Sequence, residues 1–293
     1  MYAQLLLNGA IAGSGYALIG LSFQVGYLPS RFFNFAHAAS YAWGAYVCFF
    51  ALRRLDAPVL LSVCLGVGAG CACGAILEGC VFSVLRRRGT TELVLLLASI
   101  GLYTVLQVLI SILFGDETQG LSSFQVSEGL RIIGNARATA IELLIIGLAL
   151  VLPFALYVLL HRSSWGLFYR AVCSDAELAA IRGIDSQRVT LLAATVAGGL
   201  AALAGILIGF DVGITPTMGL GALMGGIVAM IVGGVGSWPG VLLGGIFVGV
   251  VQQLGVSFLG SQWQDAISFF ILLLFLTVFS RGMFGWRRER LSA

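Results

Sequence analysis

Long apolar runs separated by short polar or glycine-containing segments fill most of the chain. They occupy about 2–28, 32–52, 58–85, 93–114, 139–160, 189–210, 218–236, 240–258 and 264–280. None alternates as a strand of a membrane β-barrel does, and most are close to the roughly 20 residues that a helix needs to cross a bilayer. The pattern predicts an all-α membrane protein, a polytopic helical bundle that forms a single transmembrane domain over residues 1–293. We predict nine segments, within a range of about 8–10, because a glycine-interrupted run can be re-entrant.

The composition indicates that most of this chain lies in the membrane. Hydrophobic residues make up 59% of it, charged residues only 10%, and the mean hydropathy is +1.01. A soluble globular chain is about half apolar and about a quarter charged. The first run begins without a basic residue, so we expect it to be a retained helix and not a cleaved signal peptide.

Arginine placement predicts the orientation. With a cytoplasmic C-terminus, twelve of the sixteen arginines fall on the cytoplasmic side, where loops carry a positive excess. These are Arg31, Arg86 to Arg88, the four arginines between His161 and Val189, and Arg281, Arg287, Arg288 and Arg290. The loop at about 115–138 is then external, and the loop at about 161–188 is cytoplasmic.

The residue types also exclude several kinds of site. The chain has no lysine, and a P-loop needs one to reach the β- and γ-phosphates. Any ATP and Mg²⁺ that drive this protein must therefore be bound by a partner, and we expect no cofactor on this chain. Six cysteines lie mostly in apolar runs, and only two histidines accompany them, which predicts neither a disulfide framework nor a metal site.

The predicted cytoplasmic loop contains a short helix. Ser174 followed by Glu177 fits a capping box, and Gly183 fits a left-handed helix stop, so we predict a helix over about 174–182. A helix of this length is not stable alone in water. It therefore docks on something, and the sequence leaves two alternatives, a lipid-headgroup anchor or a docking element for a cytoplasmic subunit.

The same loop also has Arg170-Ala171 followed by Asp175, Glu177, Ala180 and Gly183-Ile184 at fixed spacing. In this pattern it resembles the permease subunits of high-affinity branched-chain amino acid ABC importers, a family with relatives that carry urea and short amides. The family pattern is close to R-A-x-x-x-D-x-E-x-A-x-x-x-G-I. The positions that match are Arg170, Ala171, Asp175, Glu177, Ala180, Gly183 and Ile184. The resemblance implies that this element is the coupling helix that rests on the ATPase, with Ser174 and Arg182 inside it.

Further motifs extend the resemblance over nearly the whole chain. Asn34-Phe-Ala-His37 with Gly44-Ala-Tyr46 is similar to the family's N-F-A-H-G and G-A-Y stretch, and Ser99-Ile-Gly101 to its T-I-G position. A glycine-rich block is similar to G-G-x-G-S-x-x-G-x-x-x-G-G and supplies Gly233, Gly234, Gly236, Gly240 and Gly244, which we interpret as helix-packing residues. Ala38 departs from the pattern, because the family usually has glycine there.

The resemblance implies an inner-membrane permease that moves leucine, isoleucine or valine by alternating access, and not an enzyme. Its implied partners are a second permease subunit, identical or different, two cytoplasmic ATPase subunits and an extracytoplasmic solute-binding protein, with membrane lipid around it and no nucleic acid. An ion-gradient-driven secondary transporter and a passive channel subunit remain alternatives.

Polar residues inside apolar runs are candidates for the translocation path, because they tend to face a bundle interior or a water-filled cavity. The stronger candidates are Asn34, His37, Gln107 and Gln252, and the others are Asn8, Gln24, Glu78 and Gln253. For Asn34 with His37, a structural hydrogen bond is an equal alternative. We interpret Glu78, which precedes the arginine cluster, as an interfacial residue or a link between helices.

Overall fold

The structure is a computed structural model that describes residues 2–120, 130–133 and 136–278. Its helices in chain order are α1 (Tyr2–Ser30), α2 (His37–Arg54), α3 (Val59–Ile76), α4 (Ser83–Arg87), α5 (Glu92–Phe114), α6 (Ala140–Arg162), α7 (Ser164–Ser174), α8 (Ala176–Ile181), α9 (Ser186–Val212), α10 (Met218–Gly233), α11 (Trp238–Leu259) and α12 (Gln264–Val278). A π-helical segment, Leu77–Phe82, joins α3 to α4, and a 3₁₀ turn, Ser261–Trp263, precedes α12. Strands β1 (Leu130–Ile133) and β2 (Ala136–Ala138) form an antiparallel hairpin.

Each predicted apolar run contains a helix, and the prediction of a polytopic helical protein is confirmed. Six helices within the described ranges are long and apolar enough to cross a membrane. They are Ala3–Ser30, Val59–Arg87, Glu92–Phe114, Ala140–Arg162, Ser186–Val212 and Trp238–Leu259. Helices α2, α10 and α12 are shorter or less apolar, so the predicted figure of nine spans stays a prediction.

Helix α1 lies at the centre and packs against α6, α9, α10 and α11, while α2 packs against α3, α9 and α10. Small residues allow these close approaches. A Cβ placed on Gly13 of α1 would lie 2.5 Å from the carbonyl oxygen of Gly245 on α11. Small residues therefore lie where helix backbones touch, which is the arrangement that stabilises helix association in lipid.

The predicted glycine block serves two structural roles. Gly233 on α10 lies directly against Gly240 and Gly244 on α11, so these three residues bring the two helices together. Gly234 and Gly236 differ from the prediction. They lie in the turn between α10 and α11 with φ of 101° and 92°, a left-handed conformation that only glycine adopts without strain. Their role is to reverse the chain, and not to pack helices.

The loops and helix ends lie at two opposite ends of the helical bundle. At one end, the backbone of Arg137 exchanges hydrogen bonds with the Gln4 side chain, and Gln119 pairs with Ile214 through two bonds of 2.9 Å. At the other end, Tyr169 of α7 donates to the Val25 carbonyl and Arg87 donates to Gln187. The second end contains every described arginine that the sequence assigns to the cytoplasm, and we call it the arginine-rich end.

Candidate functional site

Helix α7 is fixed firmly to the arginine-rich end. The Ser163 hydroxyl caps it by accepting from the Gly166 amide at 3.0 Å, and Gly166 lies against the backbone of Leu160, where a side chain would not fit. Tyr169 is fully buried, and its hydroxyl donates to the Val25 carbonyl at 2.9 Å. These contacts make α7 a rigid base from which the next helix projects.

Helix α8 is the predicted short helix, but its cap differs from the prediction. The Asp175 carboxylate accepts from the amides of Glu177 at 2.9 Å and Leu178 at 3.1 Å, which makes Asp175 the N-cap. Ser174 is the last residue of α7, so the predicted capping box of Ser174 and Glu177 is wrong. Ser174 and Asp175 are both good capping residues, and the extended backbone at Asp175 decides between them. Gly183 stops the helix with φ of 81°, as predicted.

The outer surface of α8 is apolar and exposed. Ala179 is buried with 4% exposure and holds the helix to the protein, whereas Leu178 is 61% and Ile181 is 83% exposed. Glu177 is also exposed and makes no ion pair with any described residue. We call Glu177, Leu178 and Ile181 the α8 face.

The remaining predicted coupling residues surround this face. Arg170 is half-buried on α7, and its Nε donates to the Gly166 carbonyl at 3.4 Å. Ala171 is half-buried, while Ala180 and Arg182 are exposed. Nearby, the Arg31 guanidinium donates to the carbonyl of Cys173, and burial raises the pKa of the Cys173 thiol to about 12. The thiol therefore stays protonated and serves as an apolar packing group.

A small polar cavity lies near the arginine-rich end and brings together Asn34, His37 and Glu78. Its volume of about 20 Å³ is room for about one water molecule. His37 lines this cavity and is also hydrogen-bonded through Nε2 to the Ser22 hydroxyl at 3.0 Å, so a path role and its structural alternative both stay predictions. The Asn34 Oδ1 and Ser40 Oγ atoms are buried and make no hydrogen bond within the described residues. We call this space the inner cavity, and in this conformation it is too small for an amino acid.

Glu78 forms a buried ion pair with Arg86 on the same continuous helix, Val59–Arg87. This ion pair joins two turns of one helix and not two helices, whereas the interfacial alternative stays a prediction. The π-helical segment Leu77–Phe82 contains Glu78 and changes the helical register before Arg86, which sequence spacing alone does not reveal. Glu78 is the member of the pair that lines the inner cavity.

Replacing one partner of this pair tests how strongly it is desolvated. We expect Glu78→Gln to lower the free energy of unfolding by about 3–5 kcal/mol, because it leaves the Arg86 charge without its carboxylate in a largely buried place. The double variant Glu78→Met with Arg86→Met removes both charges and should recover most of the loss. Thermal unfolding in detergent measures both, and equal losses in the two variants would contradict this account.

The two glutamines predicted for the path have different surroundings. Gln252 is buried and joins three helices, since it accepts from the Tyr16 hydroxyl at 2.8 Å and donates to Gln264 and Ser268. Gln107 is half-buried on α5 and lines neither the inner cavity nor the larger cavity at the opposite end. The structure thus places Gln252 in a hydrogen-bond network between helices, beside a second cavity. Gln107 lies outside that network and outside both cavities.

The second cavity, which we call the outer cavity, opens near the end opposite to the arginine-rich end. It has a volume of about 370 Å³ and is lined by residues of α1, α2, α6, α9, α10 and α12. Asn8 was among the predicted path residues, but Glu142 and Asp211 were missed. Both carboxylates lie near the ends of apolar runs, where an acidic residue resembles an ordinary loop residue. Only the packing of α6 against α9 brings them together.

The helical fold, the six candidate spans and the two polar cavities define a multi-pass membrane protein with the features of a solute permease. The family described as "Branched-chain amino acid transport system / permease component" matches residues 5–276, and the chain belongs to this family. Family membership and the spans make it an inner-membrane protein, and the relatives are transport permeases, not enzymes.

Two branched-chain amino acid permeases are similar to this chain over nearly their full length. The chain is 30% identical to the high-affinity branched-chain amino acid transport system permease protein LivH of Salmonella typhimurium, over 97% of this chain and 96% of that protein. It is 29% identical to BraD of Pseudomonas aeruginosa, with the same coverage. The fructose import permease protein FrcC of Rhizobium meliloti is 28% identical over 80% of this chain and 65% of its own length. None of the solved structures matches.

Proposed function

We propose that this chain is the membrane permease subunit of an ABC importer that carries leucine, isoleucine or valine into the cytoplasm. Two ATPase subunits with ATP and Mg²⁺, a second permease subunit and an extracytoplasmic binding protein complete the transporter. Urea or a short amide is the related substrate class. The arginine-rich end faces the cytoplasm, and so does the C-terminus.

The observation that carries this proposal is the exposed α8 face. Leu178 and Ile181 lie in water at the end where arginine is concentrated, on a helix that α7 holds in a fixed position. An exposed pair of large apolar residues on a rigid helix suits a protein partner, because covering them removes apolar area from water. The chain has no lysine for a P-loop, so the partner must bring the ATP site.

The two cavities fit one half of an alternating-access cycle. The outer cavity has room for a small amino acid, whereas the inner cavity holds about one water molecule. This asymmetry corresponds to an outward-facing conformation with the cytoplasmic side closed. ATPase binding at α8 can change this conformation only if the ATPases bind the inward- and outward-facing states with different affinity.

Reconstitution tests the proposed function directly. The proteoliposomes contain this chain, its partner permease, the ATPases and the binding protein. We expect leucine uptake that requires ATP on the side of the membrane where the ATPases are bound. Omitting the ATPases should abolish uptake. Uptake that persists without them, or that follows an imposed proton or sodium gradient, would instead support a channel or a secondary transporter.

A further inference from the structure

Both polar and aliphatic side chains line the outer cavity. Asn8, Glu142 and Asp211 provide polar groups, and Ile11, Ile208 and Ala222 provide aliphatic surface. Such a lining suits a ligand with a charged end and an aliphatic end, because each part can contact side chains of its own character. Among the described residues, no group of three or more His, Cys, Asp or Glu side chains could hold a metal ion, so a metal is not the expected ligand.

Asp211 lies in an electrostatically unfavourable place. It is in the last turn of α9, which ends at Val212, and the carboxyl end of a helix carries a partial negative charge. The Glu142 carboxylate is close enough to add repulsion. Asp211 makes no ion pair or hydrogen bond with any residue that the structure describes. A cation between the two carboxylates would relieve this repulsion.

Tyr41 supplies a second, independent observation. This side chain is only 2% exposed, it lines the outer cavity, and its hydroxyl makes no hydrogen bond with the described residues. A ligand in the cavity that accepts a hydrogen bond can therefore pair with this hydroxyl without displacing a partner within the described residues. The hydroxyl is therefore a suitable donor for an anionic group in the cavity.

We propose that the outer cavity binds the transported amino acid, with its ammonium group between Glu142 and Asp211 and its branched side chain against the aliphatic lining residues. The Tyr41 hydroxyl then donates to the substrate carboxylate. An ammonium group has three N–H donors and needs acceptors of this kind. This inference rests on the proposed function, since it places a substrate of that class in a site on this chain.

Charge-removing variants in the reconstituted transporter test the site. We expect Asp211→Asn and Glu142→Gln each to lower leucine uptake at least tenfold at a leucine concentration that saturates the binding protein. Glu142→Gln keeps the helix cap, because glutamine also serves in the capping box that Glu142 forms with Thr139. Asp116→Asn is the matched control, an exposed carboxylate outside the cavity whose removal should leave uptake unchanged.

A second measurement distinguishes binding from a structural role. Radiolabelled leucine bound to the purified full-length chain should be displaced by 3-methylbutylamine, which has the cation, and not by 4-methylpentanoate, which lacks it. Asp211→Asn should weaken leucine binding at least tenfold and also raise the unfolding temperature, because it removes a repelled carboxylate. A structural role would lower that temperature.

The outcomes separate the two proposals. ATP-dependent leucine uptake that is unaffected by both cavity variants would overturn the site and leave the proposed function in place. Displacement by the carboxylate but not by the amine, or a lower unfolding temperature for Asp211→Asn, would also overturn the site. Loss of ATP dependence in the wild-type transporter would overturn the proposed function itself.

Discussion

Replacing Ile181 with Asp is expected to reduce ATP-driven leucine uptake by at least tenfold while the protein still inserts and folds. Ile181 is 83% exposed, so the change removes no contact within this chain. If an ATPase covers this residue, the variant loses about 1.5–3 kcal/mol of apolar burial and must also desolvate a carboxylate without a partner. Either effect alone weakens docking about tenfold or more.

A charge reversal on the same face provides an independent variant. Glu177 is exposed and has no ion-pair partner among the described residues, so Glu177→Lys leaves the fold unchanged but reverses the charge that a partner meets. Removing a charge that pairs across an interface costs about 2–5 kcal/mol. Arg170→Glu is less informative, because Arg170 is half-buried and its guanidinium contacts the Gly166 carbonyl.

Uptake, co-purification of the ATPases and their hydrolysis rate are the three measurements. The matched control is Leu55→Asp, a 60% exposed leucine that follows α2 at the opposite end, and it should retain uptake and bound ATPases. If Ile181→Asp and Glu177→Lys both transport normally with normal assembly, the coupling role of α8 fails. The lipid-headgroup anchor would then be the better interpretation.

The helices of this protein could be predicted from sequence because each depends on local signals. Apolar runs define where the chain prefers lipid, and Gly183 marks the end of α8 by a conformation that suits glycine. The hairpin β1–β2 was missed, since strands of four and three residues are too short to show alternation. Ser174 and Asp175 show the limit of boundary prediction, because two adjacent residues have similar capping ability.

The sites depend on contacts between distant parts of the chain, and these could be predicted only in part. Polarity within apolar runs indicated Asn34, His37 and Asn8, which do line cavities. It gave no reason to pair Glu142 with Asp211, since their proximity results from how α6 and α9 pack. The π-helical segment likewise brings Glu78 and Arg86 together at a spacing that a regular α-helix does not favour.

Glycine positions likewise show what sequence can predict and what it cannot. Their spacing is a local pattern, but the helix they contact depends on the tertiary fold. Gly70 and Gly74 lie four residues apart on α3, a spacing that indicates a close helix contact but does not identify the partner. The structure places Gly198 of α9 against both residues, with the Gly198 Cα 3.4 Å from an ideal Cβ on Gly74. Two backbones in contact leave no flexible side chain that could move aside.

Substituting Gly198 is therefore expected to disrupt the α3–α9 interface. A Cβ at this position would collide with the carbonyl oxygen of Gly70. Glycine to alanine gains about 1 kcal/mol of helix propensity, but overpacking a close contact costs about 1–3 kcal/mol and more for a larger side chain. We expect Gly198→Ala to lower the free energy of unfolding moderately and Gly198→Leu to prevent recovery of folded protein.

The matched control is Gly68 on α3, the helix that Gly198 contacts. An ideal Cβ on Gly68 meets no atom within 4 Å, so Gly68→Ala should raise the unfolding temperature slightly, and Gly68→Leu should still give folded protein. Folded yield by size-exclusion chromatography and thermal unfolding in detergent compare the four variants. Equal yields for the two leucine variants would mean that α3 and α9 can separate without loss of the fold. The contrast depends on backbone contact alone, because both residues are glycines within apolar helices and differ only in what lies beside them.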